Sequence, residues 1–112
     1  MDLGKRDTHR LKKILREFFY QSELRNKFVV NNRILYSQSK RSYRYLCAGC
    51  RLYYNVRVME VDHVHELKNS IDLTDWIKSL FNVENLQMLC KSCHRKKTIG
   101  LEMVELDREE IE

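Results

Sequence analysis

Four cysteines stand as two pairs, Cys47-x-x-Cys50 and Cys90-x-x-Cys93. A two-residue gap makes a tight knuckle that turns both sulfurs toward one point, and two such pairs supply four thiolates for a tetrahedral Zn²⁺. Redox dithiols come as a single CxxC, and disulfides belong to secreted chains, to which nothing in this sequence points. Cys47, Cys50, Cys90 and Cys93 are therefore read as a structural zinc site. A second set of polar residues lies between and behind the pairs: Asp62-His63-Val64-His65, Asn85, and His94 directly after the last cysteine. A zinc staple uses none of them. A carboxylate and imidazoles can hold a divalent cation, and an imidazole titrating near neutrality can take a proton from water. Each residue alone has a plainer reading, as a surface histidine, a turn asparagine or a helix cap. Their arrangement around one staple, which must bring strand 86–89 and helix 93–98 near strand 56–64, favours chemistry.

The elements that must position these residues follow from periodicity. Leu11, Ile14, Leu15 and Phe18 recur as one stripe of a helix, which Thr8 or Asp7 would cap and whose other face carries Arg10, Lys12, Lys13 and Arg16. Ser22 is placed to cap a second helix running through Phe28 and Val29 toward Ile34. The polar stretch Ser37 to Ser42 reads as an exposed loop. Gly49 eases the first knuckle, and Val56 and Val58 alternate with Arg57 as in a half-buried strand. Leu73, Trp76, Ile77 and Leu80 form a stripe over a helix at 72–82, with Asp72 as its cap. Leu86 to Leu89 makes a short strand, and Cys93-His94-Arg95-Lys96-Lys97 opens a basic helix. Residues 1–50 hold twelve Lys/Arg against four Asp/Glu, while residues 51–112 hold nine against twelve. A basic first half suits a polyanion, because lysines and arginines gain affinity by displacing counterions from phosphates. No apolar run approaches the ~18 residues of a membrane span, which leads us to expect a soluble, cytoplasmic protein with no membrane partner.

The strings Glu60-Val61-Asp62-His63-Val64 and Glu84-Asn85-Leu86-Gln87-Met88-Leu89-Cys90-Lys91-Ser92-Cys93-His94-Arg95-Lys96-Lys97-Thr98 resemble the signature of the HNH endonucleases. The resemblance covers residues 45–98 well and 18–44 loosely, where Phe19-Tyr20-Gln21-Ser22 is similar to the lead-in of small phage-type members. It implies an α+β fold with a ββα-metal core, here stapled by the four-cysteine zinc site and preceded by a helical extension. The expected layout is one domain over 1–112, with a basic extension at 1–45, the core at 46–98 and an acidic tail at 99–112. The implied activity is hydrolysis of phosphodiester bonds in double-stranded DNA, either nicking or cutting both strands. His63 is then the general base, and Asp62 and His94 are ligands of a catalytic Mg²⁺, Mn²⁺ or another divalent ion. His65 is an alternative ligand or second base. Asn85 would hold the His63 segment through backbone hydrogen bonds. Arg95, Lys96 and Lys97 would contact phosphates, as would Arg41 and Arg44 in a Tyr-rich approach to Cys47. Phage-type relatives further imply a bacterial host and partners among genome-packaging proteins.

Three departures and one geometric tension accompany the resemblance. The chain has no proline, puts Val64-His65-Glu66-Leu67 where relatives place a Pro/Gly-rich loop, and inserts the Leu73–Leu80 stripe before Asn85. That stripe reads as core, with a wedge against DNA as the alternative. Cys93 and His94, adjacent on a helix, diverge by about 100° and so suit two different metals. Asp62 and His63 are also adjacent, and neighbours on a regular strand point to opposite faces, so a bulge, a strand end or a different assignment is called for. The sequence is also compatible with a non-catalytic zinc module that binds nucleic acid, or an adaptor docking through residues 71–81 or its tail.

Overall fold

The computed structural model describes residues 3–68 and 72–100; the acidic tail, from 101 onward, lies outside the described residues. The chain forms two compact units that alternate along the sequence: residues 1–31 with 63–87, and residues 32–62 with 88–112.

The first unit is helical. Helix α1 spans Lys5–Gln21 and α2 spans Glu23–Asn31. Gly4, not Asp7 or Thr8, occupies the α1 N-cap, so Asp7 sits in the first turn, where its charge opposes the helix dipole favourably. The Ser22 hydroxyl accepts from the Arg25 N–H at 3.3 Å and donates to the Phe19 carbonyl at 2.7 Å, so it both ends α1 and starts α2. Helix α2 stops at Asn31, and Ile34 belongs to a strand.

The buried face of α1 differs from its apolar stripe. Phe18 is 63 % exposed and Ile14 53 %, whereas Lys12 and Phe19 are buried. The cause is α3, Leu73–Leu80, which packs on α1 and buries Trp76 completely. The Lys12 ammonium and the Arg16 guanidinium lie 5.3 and 5.2 Å from the indole centre. Two cations thus spread their aliphatic stems over an aromatic face, keeping a cation–π contact while covering the ring. The α3 stripe itself is as its spacing predicts: Trp76 and Leu80 are buried, Leu73 and Ile77 half-buried. Asp72 holds the N-cap position without a side-chain hydrogen bond.

The second unit is built on strands. β1 (Arg33–Ser37), β2 (Ser42–Leu46) and β3 (Tyr53–Tyr54) form an antiparallel sheet in that order. The expected loop at Ser37 to Ser42 is thus a hairpin turn, with its end residues inside the ladder and Arg41 in left-handed conformation (φ 47°). Val56–Val58 is a 3₁₀ turn and not a strand, because the Asn55 side chain accepts from the Arg57 N–H at 2.9 Å and closes the backbone there. The chain extends only afterwards, as β4 (Met59–His63), which pairs with β5 (Leu86–Cys90). Residues 91–100 then form a helix, α4. Two paired strands followed by a helix give the expected ββα order. Among the described residues no helix is long and apolar enough to cross a membrane.

Candidate metal centre and catalytic residues

The four cysteine sulfurs converge. Sγ atoms of Cys47, Cys50, Cys90 and Cys93 all lie within 4.8 Å of one another. A Zn²⁺ tetrahedron with bonds of about 2.3 Å has edges of about 3.8 Å, so the quartet fits that ion with little adjustment. The knuckle backbones aim N–H groups at the sulfurs: Gly49, Cys50 and Cys90 lie 3.3, 3.5 and 3.3 Å from Cys47 Sγ, and the Cys93 N–H is 3.4 Å from Cys90 Sγ. Burial pushes the Cys47 thiol up, but these amides and the Cys93 thiol outweigh it and bring Cys47 down to about 6. Cys93 moves the other way, to about 12, because its thiol hydrogen-bonds to the Cys90 and Cys47 sulfurs and is desolvated. Cys50 is lowered, first by the Tyr54 hydroxyl 3.3 Å away. One thiolate is thus ready, and an ion would displace the remaining protons. Gly49 is there for space as much as for the turn: a Cβ would meet Cys93 Cβ and Sγ at 3.0 Å.

The second unit also gathers a polar group between β4 and α4 that a zinc staple does not need. Asp62, only 8 % exposed, has Oδ1 3.3 Å from His94 Nε2 and Oδ2 2.6 Å from the Lys97 ammonium. The Glu60 carboxylate pairs with the other imidazole nitrogen, His94 Nδ1, at 2.5 Å. Glu60 and Asp62 stand two apart on β4 and share a face, and His94 and Lys97 stand three apart on α4 and share a side. Glu60 carries no role in the motif; its spacing of two from Asp62 is the signal that points to it. Lys97, expected on a phosphate, sits on Asp62, while Arg95 and Lys96 are exposed.

A divalent ion suits this pair. Two adjacent ligands at about 2.1 Å on an octahedral ion are separated by about 3.0 Å, close to the spacing of Asp62 Oδ1 and His94 Nε2. If Glu60 takes the Nδ1 hydrogen, Nε2 turns its lone pair toward the Asp62 carboxylate, and a cation between them relieves two facing acceptors. A carboxylate on the far imidazole nitrogen is also how a histidine that holds a metal would be oriented.

His63, His65 and Asn85 belong to the other unit. His63 Nε2 is 3.1 Å from the Leu80 carbonyl, and its ring lies 5.0 Å from that of Phe19. A carbonyl only accepts, so Nε2 carries the hydrogen and the neutral ring's lone pair is on Nδ1. Asp62 and His63 therefore meet different partners, as strand alternation requires. Asn85, buried at the end of a 3₁₀ turn (Val83–Asn85), clamps the chain after His63. Its Oδ1 accepts from the His65 N–H at 2.9 Å, its Nδ2 donates to the His65 and Ser79 carbonyls at 3.2 and 3.4 Å, and its own carbonyl accepts from Val64 N–H at 2.7 Å. The His65 side chain is exposed, and its backbone carries these contacts. Asn85→Ala should destabilise the protein by about 1–3 kcal/mol, since it removes three hydrogen bonds to part-buried backbone groups of His65 and Ser79. A denaturant midpoint equal to wild type would show that the clamp carries no weight.

Residues 47–99 match the HNH endonuclease family model, and this segment belongs to that family. The chain is 48 % identical over 52 residues to a protein of Lactococcus phage SK1 named a probable HNH endonuclease. The match covers 46 % of this chain and 52 % of that relative, so the chain spans about half the length of the curated protein it matches. No solved structure matches the chain.

Proposed function

We propose that the chain is a metal-dependent DNA endonuclease in which His63 is the general base and Asp62 and His94 hold the catalytic divalent ion. The observation that carries this reading is the Asp62–His94 pair, set 3.3 Å apart with Glu60 behind the histidine, in a segment of the HNH family. A bound ion would neutralise charge on the scissile phosphate and the departing 3′ oxygen. The chain's own residues do the rest. The Leu80 carbonyl accepts from His63 Nε2 and so sets the tautomer and orientation of the base. Asn85 fixes the backbone after His63. Lys97 balances the Asp62 charge, and Arg95 and Lys96, exposed on α4, face solvent where phosphates of a duplex would arrive. The four cysteines would hold Zn²⁺ structurally, since a shell of four thiolates leaves no open position for a substrate. A setting in a bacterial host's cytoplasm, with genome-packaging proteins as partners, fits the phage origin of the relative.

Purified protein mixed with supercoiled plasmid and Mg²⁺, Mn²⁺ or Ni²⁺ should convert it to nicked or linear forms. Salt-dependent binding without conversion under any of the three ions would instead establish a non-catalytic zinc module.

A further inference from the structure

The basic charge of the chain is not spread over its surface at random. From residue 24 to residue 59 there are eight Lys/Arg and no Asp or Glu, and six of the eight follow residue 32 in the second unit. That stretch contains the β1–β2 hairpin, whose outer half stands without a third strand, because β3 pairs only with Tyr45 and Leu46 at its base. Arg33 through Tyr36 are all exposed. Two guanidinium groups lie over tyrosine rings: Arg33 is 4.1 Å from the Tyr43 ring centre, and Arg44 is 4.3 Å from that of Tyr36. The register separates the two stacks. Arg33 pairs with Tyr45 and so shares its face with Tyr43, while Ile34 pairs with Arg44, which faces the other way. One anchored arginine thus stands on each side of the ribbon, and Lys40 and the left-handed Arg41 stand at its tip.

We propose that this ribbon enters a groove of duplex DNA, with Arg33 and Arg44 contacting the phosphates of the two opposite walls and Lys40 and Arg41 leading. The proposal rests on the nuclease reading for its choice of nucleic acid and adds the surface that holds it. A two-stranded ribbon fits the ~12 Å major groove, and a groove is the one DNA feature with phosphates on both sides. A guanidinium held over a ring gives up less rotamer freedom on meeting a phosphate, and among the described residues Arg44 donates from Nη1 to Ser42 Oγ and the Tyr43 carbonyl, each at 3.0 Å. The tyrosines each give a ring face to arginine, which favours phosphate contact over base stacking and so a duplex over a single strand.

The test is fluorescence anisotropy of the full zinc-loaded chain on a labelled DNA duplex in buffer without added Mg²⁺, Mn²⁺ or Ni²⁺, across a salt series. Each phosphate contact contributes about 0.9 to the slope of log affinity against log salt. Arg33→Gln with Arg44→Gln should therefore flatten the slope by about 1.8 and weaken binding about thirtyfold at ~0.15 M salt. Arg33→Lys with Arg44→Lys should keep most of the slope. Lys40→Gln with Arg41→Gln, at exposed turn positions, provides the same reading free of any packing change and should lose a similar factor. Wild-type slope and affinity in both Gln pairs, or tighter binding to the single strand of equal length, would overturn the ribbon. Plasmid cleavage by wild type is read separately: cleavage with unaffected Gln pairs rejects the ribbon and leaves the nuclease, and flattened slopes without cleavage keep the ribbon and reject the nuclease.

Discussion

Replacing His63 by Gln should lower the rate of plasmid cleavage by about 10²–10⁴-fold, the usual contribution of a positioned general base. Gln keeps a donor for the Leu80 carbonyl, which His63 Nε2 meets at 3.1 Å, and about the same bulk beside Phe19. It cannot take a proton from water. The substitution therefore separates chemistry from folding better than Ala does, since Ala removes the hydrogen bond and leaves a gap against the Phe19 ring as well. The control is the thermal midpoint with zinc content, both of which should stay near wild type. Cleavage within a few-fold of wild type by a folded His63→Gln protein would remove His63 from the mechanism and make His65, exposed two residues on, the next candidate base.

The second large effect belongs to the zinc site. Cys47 is fully buried, and its sulfur lies within 3.5 Å of the Gly49, Cys50 and Cys90 amides. Structural Zn²⁺ in small domains contributes about 10–16 kcal/mol of apparent binding free energy near neutral pH, most of it expressed as folding. That exceeds the whole stability of a typical domain, about 5–15 kcal/mol. Cys47→Ser should therefore yield protein without stoichiometric zinc and without a cooperative melting transition. Protons compete with zinc for the sulfurs, so acid should release the metal from wild type too. A Cys47→Ser protein that melts cooperatively at the wild-type midpoint would show that hydrophobic packing alone holds the fold.

Local spacing was the part of this molecule that its sequence made legible. The CxxC pairs, the α3 stripe, strand Leu86–Cys90 and the helix after it are each set by residues a few positions apart, and the structure has them all. Elements whose reason lies elsewhere in the chain were not legible. The α1 stripe points at Phe18 and Ile14, but Trp76 of α3 draws in Lys12 and Arg16, and no hydropathy pattern assigns cations to a buried face. Val56-Arg57-Val58 alternates like a strand, yet one side-chain bond from Asn55 makes it a 3₁₀ turn. The β1–β2 hairpin has no Gly or Pro at its turn, and Arg41 takes the left-handed conformation that glycine usually supplies.

The candidate site divides in the same way. Asp62, His94 and Asn85 could be named from the motif, and their roles belong to the proposed function. Asp62 and His63 alternate along β4 and meet different partners, and His63 is the last residue of that strand. Glu60 and the Lys97–Asp62 ion pair needed coordinates, because they depend on which face of β4 meets which side of α4.

On the proposed mechanism, cleavage requires a divalent ion distinct from the zinc. This requirement is tested most directly by measuring plasmid conversion by wild-type protein after a chelator treatment that removes loosely bound ions, with zinc quantified in the same sample. One zinc per chain should be retained, with no conversion until cleavage recovers on adding Mn²⁺ or Mg²⁺. Cleavage that continues undiminished in excess chelator would contradict it.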